Sequence, residues 1–177
     1  MVAVIGGGAL ATAISKKITS TIYDRSYYDF LQPMTDEFIK ELMSHDVIVN
    51  CVAVNQGSTA DILHINYIQP VNLIEKLIKF NYQGRLILIG SHGASWISWP
   101  GIPYIRLVYN NSKKNLRDFV KSVVQSSITN MKLTIIEPTK FKSSMNDYQG
   151  YDASQVADTV IKLLTLDSID LLHVEMY

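Results

Sequence analysis

Tyr109 and Lys113 bracket the run Tyr109-Asn110-Asn111-Ser112-Lys113. On a helix, positions i and i+4 share a face, so a phenol and an ammonium spaced this way can serve one site. A phenol of unperturbed pKa about 10 is a weak acid–base catalyst at neutral pH, and a nearby cation lowers it by favouring phenolate. Lys113 can supply that cation. Ser91, at the end of the apolar run from Arg85 to Gly90, can hold a carbonyl or hydroxyl by hydrogen bond while Tyr109 moves the proton. With 10 tyrosines in the chain the spacing also arises by chance, so it needs support from elsewhere.

That support comes from the first turn of the sequence. Directly after Val2-Ala3-Val4-Ile5 stands Gly6-Gly7-Gly8-Ala9-Leu10-Ala11, which fits G-x-G-x-x-G/A with Gly6, Gly8 and Ala11 at the marked positions. Small residues there allow a tight turn, close approach of backbone N–H groups to a pyrophosphate, and packing of helix on strand. The start of the following helix favours the anion. Asp24 ends the second apolar run, Thr19 to Tyr23, and an acid about 20 residues beyond the glycines suits the ribose 2′-hydroxyl of NAD. Arg25 beside it allows the 2′-phosphate of NADP, so both cofactors stay open. A plain glycine turn followed by a solvated Asp-Arg pair would look similar, but strand, glycines, helix, strand and acid in this order favour a dinucleotide.

Parallel strands joined by crossover helices would position these groups, because short β-rich runs alternate with stretches of helical period. Strands are expected at 2–5, 20–24, 46–53, 85–90, 132–137 and 170–176. The first helix runs from Ala9 to Ile18. A second follows Pro33, with Thr35 as cap, Asp36 and Glu37 in its first turn, and Phe38, Ile39 and Leu42 on one face. A third carries Ile62, Ile65, Ile68, Leu73, Leu77 and Ile78, and Pro70 kinks it or starts a new turn. Gly84 closes that segment. A fourth spans Val108 to Ser126, and the last spans Ser154 to Leu164 with Asp152 or Ser154 as cap. Val47-Ile48-Val49 and Leu86-Ile87-Leu88-Ile89 are apolar without alternation, as in a sheet covered on both faces. The expected fold is a single α/β domain over residues 1–177: a doubly wound, Rossmann-like parallel sheet of about six strands in three α/β/α layers, ordered 2-1-3-4-5-6. Ligands in such sheets bind at the carboxyl ends of the strands.

Composition narrows the classes further. The 177 residues carry 16 Lys+Arg against 16 Asp+Glu, and without a basic face a general nucleic-acid binder is not expected. A single cysteine, Cys51, forbids an intramolecular disulfide and argues against a structural zinc site. It reads as a small hydrophobe in a buried strand rather than a nucleophile. His45, His64 and His173 show no metal-ligand spacing and read as surface or capping residues; His92 reads as a loop histidine. No metal is expected. No run reaches the roughly 20 apolar residues of a membrane span, and Val2–Ile5 follows Met1 without a basic leader, so a cytoplasmic protein is the expectation.

At this point the sequence resembles the short-chain dehydrogenase/reductase family, as an unusually short member. Asp46-Val47-Ile48-Val49-Asn50-Cys51-Val52-Ala53 is similar to the family's strand ending in Asn-Asn-Ala-Gly. His64-Ile65-Asn66-Tyr67-Ile68-Gln69-Pro70 is similar to the helix carrying its structural and proton-relay asparagine, here Asn66. Leu86-Ile87-Leu88-Ile89-Gly90-Ser91 resembles the strand bearing the catalytic serine, and Tyr109 with Lys113 the catalytic pair. Ile135-Ile136-Glu137-Pro138-Thr139 resembles the Pro-Gly segment beside the nicotinamide, and Ala153 to Leu164 the late helix after it.

The resemblance implies hydride transfer between NAD or NADP and a small carbonyl or alcohol. Tyr109 would be the general acid/base, Lys113 would bind the nicotinamide ribose and lower the phenol pKa, Ser91 would orient substrate, and Asn66 would support a water-linked proton path. Gly6, Gly8, Ala9, Leu10, Ala11, Asp24, Arg25, Asn50, Val52, Ala53, Lys113, Pro138 and Thr139 would line the cofactor. A homodimer or homotetramer built through the third and fourth helices is implied as well.

The chain also departs from the pattern. The glycine turn lacks the family's T-G-x-x-x-G-x-G form, Ala53 and Thr139 replace glycines, and Trp96-Ile97-Ser98-Trp99-Pro100-Gly101 widens the interval from Ser91 to Tyr109. Ser95 or Ser98 is thus an alternative hydroxyl, and Trp96 and Trp99 suit a substrate wall or a dimer contact equally. Between Asp24 and Asp46 one helix stands where the family has helix, strand and helix, and little chain separates Pro138 from the last helix for a substrate lid. Besides an oxidoreductase, a non-catalytic dinucleotide-binding sensor or assembly protein is consistent with these departures. A nucleotide-sugar epimerase or dehydratase is a further alternative.

Overall fold

Each of the six expected strands forms, and all pair in parallel. The computed structural model describes residues 1–95, 101–139, 152–166 and 173–176. The strands are β1 (Val2–Ile5), β2 (Ser20–Tyr23), β3 (Val47–Asn50), β4 (Arg85–Ile89), β5 (Lys132–Pro138) and β6 (His173–Met176). Their order across the sheet is β2-β1-β3-β4-β5-β6, with Val2 beside both Ser20 and Val47 and Ile89 beside Ile136. The helices are α1 (Ala9–Ser15), α2 (Asp36–Leu42), α3 (Thr59–Leu63), α4 (Gln69–Lys79), α5 (Tyr104–Ser126) and α6 (Ala153–Leu164).

Alternate strand residues go to opposite faces, and each face has its own core. Ala3, Ile5, Ile48, Leu86, Leu88 and Ile135 pack with α2, α4 and α5 through residues such as Phe38, Leu73 and Leu116. Val4, Val49, Ile87, Ile89 and Ile136 pack with α1 and α6 through Ile14, Val156 and Val160. The unalternating apolar strands reflect this double coverage. Among the described residues, no helix is long and apolar enough to cross a membrane.

Element ends differ from the sequence reading for local reasons. β3 stops at Asn50 instead of residue 53, because the Asn50 side chain accepts a hydrogen bond from Val52 N (3.0 Å) and turns the chain out of the sheet. Pro70 starts a new turn within the third helical stretch, one of the two effects expected of it. It falls in the first turn of α4, and the preceding residues His64–Ile68 form a π-helical turn in which Gln69 N donates to His64 O, accommodating the donor that proline lacks. α5 begins at Tyr104, a turn before Val108, so Tyr109 lies inside the helix and not at its start. Thr35 caps α2 as expected, and Asp152 caps α6 in a capping box with Gln155.

His45 is not a surface residue. It is 7% exposed, with Nδ1 3.3 Å from Leu42 O and Nε2 3.3 Å from Thr21 Oγ1, joining the end of α2 to β2. His64 is half-buried and is the C-cap of α3, the capping one of its two expected roles. Buried Arg85 reaches across the sheet edge to donate from Nη1 to Leu163 O and from Nη2 to Leu166 O (2.9 Å), satisfying carbonyls at the end of α6.

Candidate active site

The carboxyl ends of β1, β3, β4 and β5 bring the predicted residues to one end of the sheet. At β1 the ladder runs on through Gly6 N to Tyr23 O (2.8 Å) and Cys51 N to Ile5 O (2.9 Å), which pins the glycine turn between its neighbours. Gly6 has φ +116°, a conformation L side chains rarely adopt. Gly8 is the extended residue before α1, and a Cβ there would meet only open space. Gly7, which the sequence pattern leaves unassigned, is equally constrained: a Cβ would lie 2.9 Å from Asp24 Cβ. Ala11 is fully buried against the α6-side core, as its packing role requires, and Leu10 turns its side chain into the same core. Ala9 is exposed beside the turn. Because α1 has only 7 residues, the bare backbone of the turn matters more than the helix dipole.

Asp24 follows β2 and faces this turn. Its Oδ1 accepts from Ser26 N (2.9 Å) and Ser26 Oγ (2.6 Å), and those hydrogen bonds hold its carboxyl below the usual carboxylate range. Arg25 is exposed next to it. After β3, Val52 is buried and Ala53 half-buried; Asn50 is committed to Val52 N.

Asn66, fully buried in the π turn, donates from Nδ2 to Val54 O (2.6 Å) and accepts at Oδ1 from Val54 N (3.0 Å). Its amide therefore clamps the backbone after β3.

At β4, the Ser91 hydroxyl lies near enough to the Tyr109 phenol to pull it down. Ser91 Oγ also accepts from Gly93 N at 3.2 Å. Ser95, the alternative hydroxyl, is exposed and occupied with Arg117 Nη1 at 3.0 Å. Ser98, Trp96 and Trp99 lie outside the described residues. Gly93 permits this packing, since a Cβ there would stand 2.6 Å from Oδ1 of buried Asn110.

Lys113 is 1% exposed, and its Nζ donates to Ile89 O at 2.9 Å, at the end of β4. It lies 6.0 Å from the Tyr109 ring centroid. The expected lowering of the phenol by Lys113 is not found. Burial pushes Tyr109 up, against the opposing pull of the Ser91 hydrogen bond and Arg106. Burial also pulls the Lys113 ammonium down to about 8, while Glu137 and Cys51 work the other way. Cys51 is half-buried just beyond β3, its thiol pushed up to about 12, which leaves it inert at neutral pH.

β5 ends with Pro138 paired to Met176 in β6, and Thr139 N donates to Met176 O at 3.2 Å. Immediately before them stands Glu137, which sequence reasoning misses as a site residue together with Arg117. Glu137 is 0% exposed, and Arg117 Nη1 lies 3.1 Å from its Oε2. The sequence does carry a signal for both: an acid inside an apolar strand, and an arginine one turn beyond Lys113 on the same helical face. Among the described residues no group of His, Cys, Asp and Glu is arranged to hold a metal ion.

Solved structures with this arrangement place the fold. A 3-alpha-hydroxysteroid dehydrogenase from Pseudomonas sp. B-0831, complexed with NADH, superposes with a TM-score of 0.75 at 17% identity, over 99% of this chain and 95% of that one. A short-chain dehydrogenase/reductase from Serratia marcescens superposes with a TM-score of 0.76 at 17% identity, again over 99% and 95% of the two chains. This chain has the short-chain dehydrogenase/reductase fold. An alcohol dehydrogenase from the archaeon Thermococcus sibiricus, complexed with 5-hydroxy-NADP, shares that fold at a TM-score of 0.73 and 15% identity, over 99% and 95%. No family model and no curated protein matches the chain at the level of sequence. At these identities the short-chain dehydrogenase/reductase likeness concerns architecture alone.

Proposed function

We propose that the chain is an NAD(P)-dependent oxidoreductase acting on a small carbonyl or alcohol. The observation that carries this reading is the gathering of Ser91, Tyr109 and Lys113 at the carboxyl end of β4: the Ser91 hydroxyl acts on the Tyr109 phenol, and the buried Lys113 ammonium donates to Ile89 O one helical turn away. The glycine turn fits a dinucleotide: Gly6 holds a conformation closed to other residues, Gly8 opens onto free space, and the Asp24 carboxylate borders Gly7 between them. That carboxylate supports NAD(H), whose ribose hydroxyl it can accept, over NADP(H), whose phosphate it would repel. Structural neighbours complexed with NADH and NADPH support this cofactor class.

The nicotinamide, when bound, supplies or accepts the hydride. The chain's own groups handle the proton. Ser91 orients the substrate oxygen, and Tyr109 donates its proton to that oxygen in reduction or removes it in oxidation. Burial raises the Tyr109 phenol and so favours its protonated form, the form that acts as the acid in carbonyl reduction. Lys113 supplies the positive charge beneath the site.

The competing reading, binding without turnover, draws on Thr139, whose side chain stands where a glycine would leave space, and on Lys113 being spent on a backbone carbonyl. Fluorescence titration with NADH and NADPH decides whether either cofactor binds, and binding to neither overturns both readings. Tyr109→Phe should cut turnover of a reducible carbonyl by about 10²-fold or more while leaving NADH affinity within about twofold. Unchanged turnover would remove Tyr109 from its role.

A further inference from the structure

Glu137 and Arg117 form an internal ion pair, with Arg117 one helical turn beyond Lys113 on α5. Two elements converge on one peptide: the Lys113 ammonium donates to the carbonyl of Ile89, and the Glu137 side chain lies against the next residue, Gly90. A Cβ on Gly90 would sit 2.9 Å from Glu137 Cγ, so glycine at that position is what lets the carboxylate come close. Arg117 follows Lys113 on the same face of α5 and reaches back toward the helix N-terminus, contacting Glu137 Oε2 (3.1 Å) and Ser95 Oγ (3.0 Å) with one nitrogen. It thereby ties β5 to the short turn His92–Ser95 that follows Ser91.

We propose that Glu137 is a positioning residue that keeps Lys113 charged, and that Arg117 fixes Glu137 and the Ser91 turn in place. An ammonium with a single backbone acceptor in a dry site tends to shed its proton, and a neighbouring carboxylate opposes that loss. The direction of the influence on Lys113 agrees: burial lowers it and Glu137 raises it. The other titratable or charged groups around Lys113 are Tyr109 and Arg117 on α5, Cys51 beyond β3, and His92 in the turn after β4. Of these, Tyr109 and Cys51 stay neutral and Arg117 carries like charge, so Glu137 is the group able to hold the proton on Lys113.

The functional meaning of this charge rests on the oxidoreductase reading, but its test does not. Lysine ¹³Cε resonances would be titrated by NMR in the whole protein, with Lys113 assigned through Lys113→Arg. In Glu137→Gln, which keeps an acceptor for Arg117, the Lys113 midpoint should fall by about one pH unit or more. Glu137→Asp should restore most of it. An unchanged midpoint in Glu137→Gln, or the same fall in Glu137→Asp, overturns the proposal. If Glu137→Gln does not fold, the double variant Arg117→Met/Glu137→Met is compared with Arg117→Met alone, so that both lack the like charge; the Lys113 midpoint must be lower in the double variant, and equal midpoints overturn the proposal. NADH titration of the same samples separates the two ideas: a shifted Lys113 without NADH binding sinks the oxidoreductase reading and leaves the ion-pair role standing.

Discussion

Gly6 is the single residue on which the cofactor turn depends most. Its φ of +116° excludes a side chain by backbone strain, whereas Gly7 excludes one by contact with Asp24. Gly6→Ala should lower stability by about 1–3 kcal/mol in urea unfolding and weaken NADH binding. Residues that act by type and local spacing are legible in the linear sequence. Tyr109 and Lys113 sit a helical turn apart, and Gly6, Gly8 and Asp24 follow a linear pattern. Partnerships set by the third dimension are not legible in this way. Glu137 belongs to a strand and Arg117 to a helix, and nothing in their linear separation says that they meet. The influence on Tyr109 escapes the sequence for a related reason: the i, i+4 relation puts Lys113 on the right face, but burial and a backbone acceptor decide what each group feels.

Elements are bounded by hydrogen bonds that the sequence shows only when a side chain makes them. Thr35 and Asp152 are capping residues in plain sight, and each marks the start of its helix. The start of α5 lies a turn earlier than its sequence suggests because its cap, Pro103, offers no side-chain acceptor. The end of α6 depends on a side chain from another element: Arg85 occupies the carbonyls of Leu163 and Leu166 from the first residue of β4. Replacing it by Met would keep volume and remove these charge-assisted bonds, leaving buried acceptors without their partner. Arg85→Met should cost about 1.5–3 kcal/mol, measured by thermal or urea unfolding, and hydrogen exchange should rise first in the last turn of α6.

At the scale of the whole molecule, burying Lys113 links stability to pH. Its ammonium is pulled from 10.5 down to about 8, so the unfolded chain binds more protons than the folded one between these values. Stability from this group rises with pH across that window. Lys113→Met removes the group, so the variant should gain most over wild type below about pH 8, with the gain fading toward pH 10.5. Cys51 and Tyr23, both raised to about 12, act in the opposite sense above pH 9 and 10; Tyr23 cancels when wild type and variant are compared, while Cys51 feels the Lys113 charge, so the comparison is cleanest below pH 9. A stability difference flat from pH 7 to 11 would contradict the burial of the charge. The strand order is legible in the sequence because apolar runs alternating with helical stretches allow few right-handed windings. The order β2-β1-β3 has a further meaning for assembly in time. β1 is made before either neighbour, and β2 offers it only a two-stranded ribbon, which is marginal in water. The glycine turn at the end of β1 is therefore held from both sides only after β3 emerges, so a growing chain has the frame for a nucleotide in hand while β4, β5 and β6 are still to come.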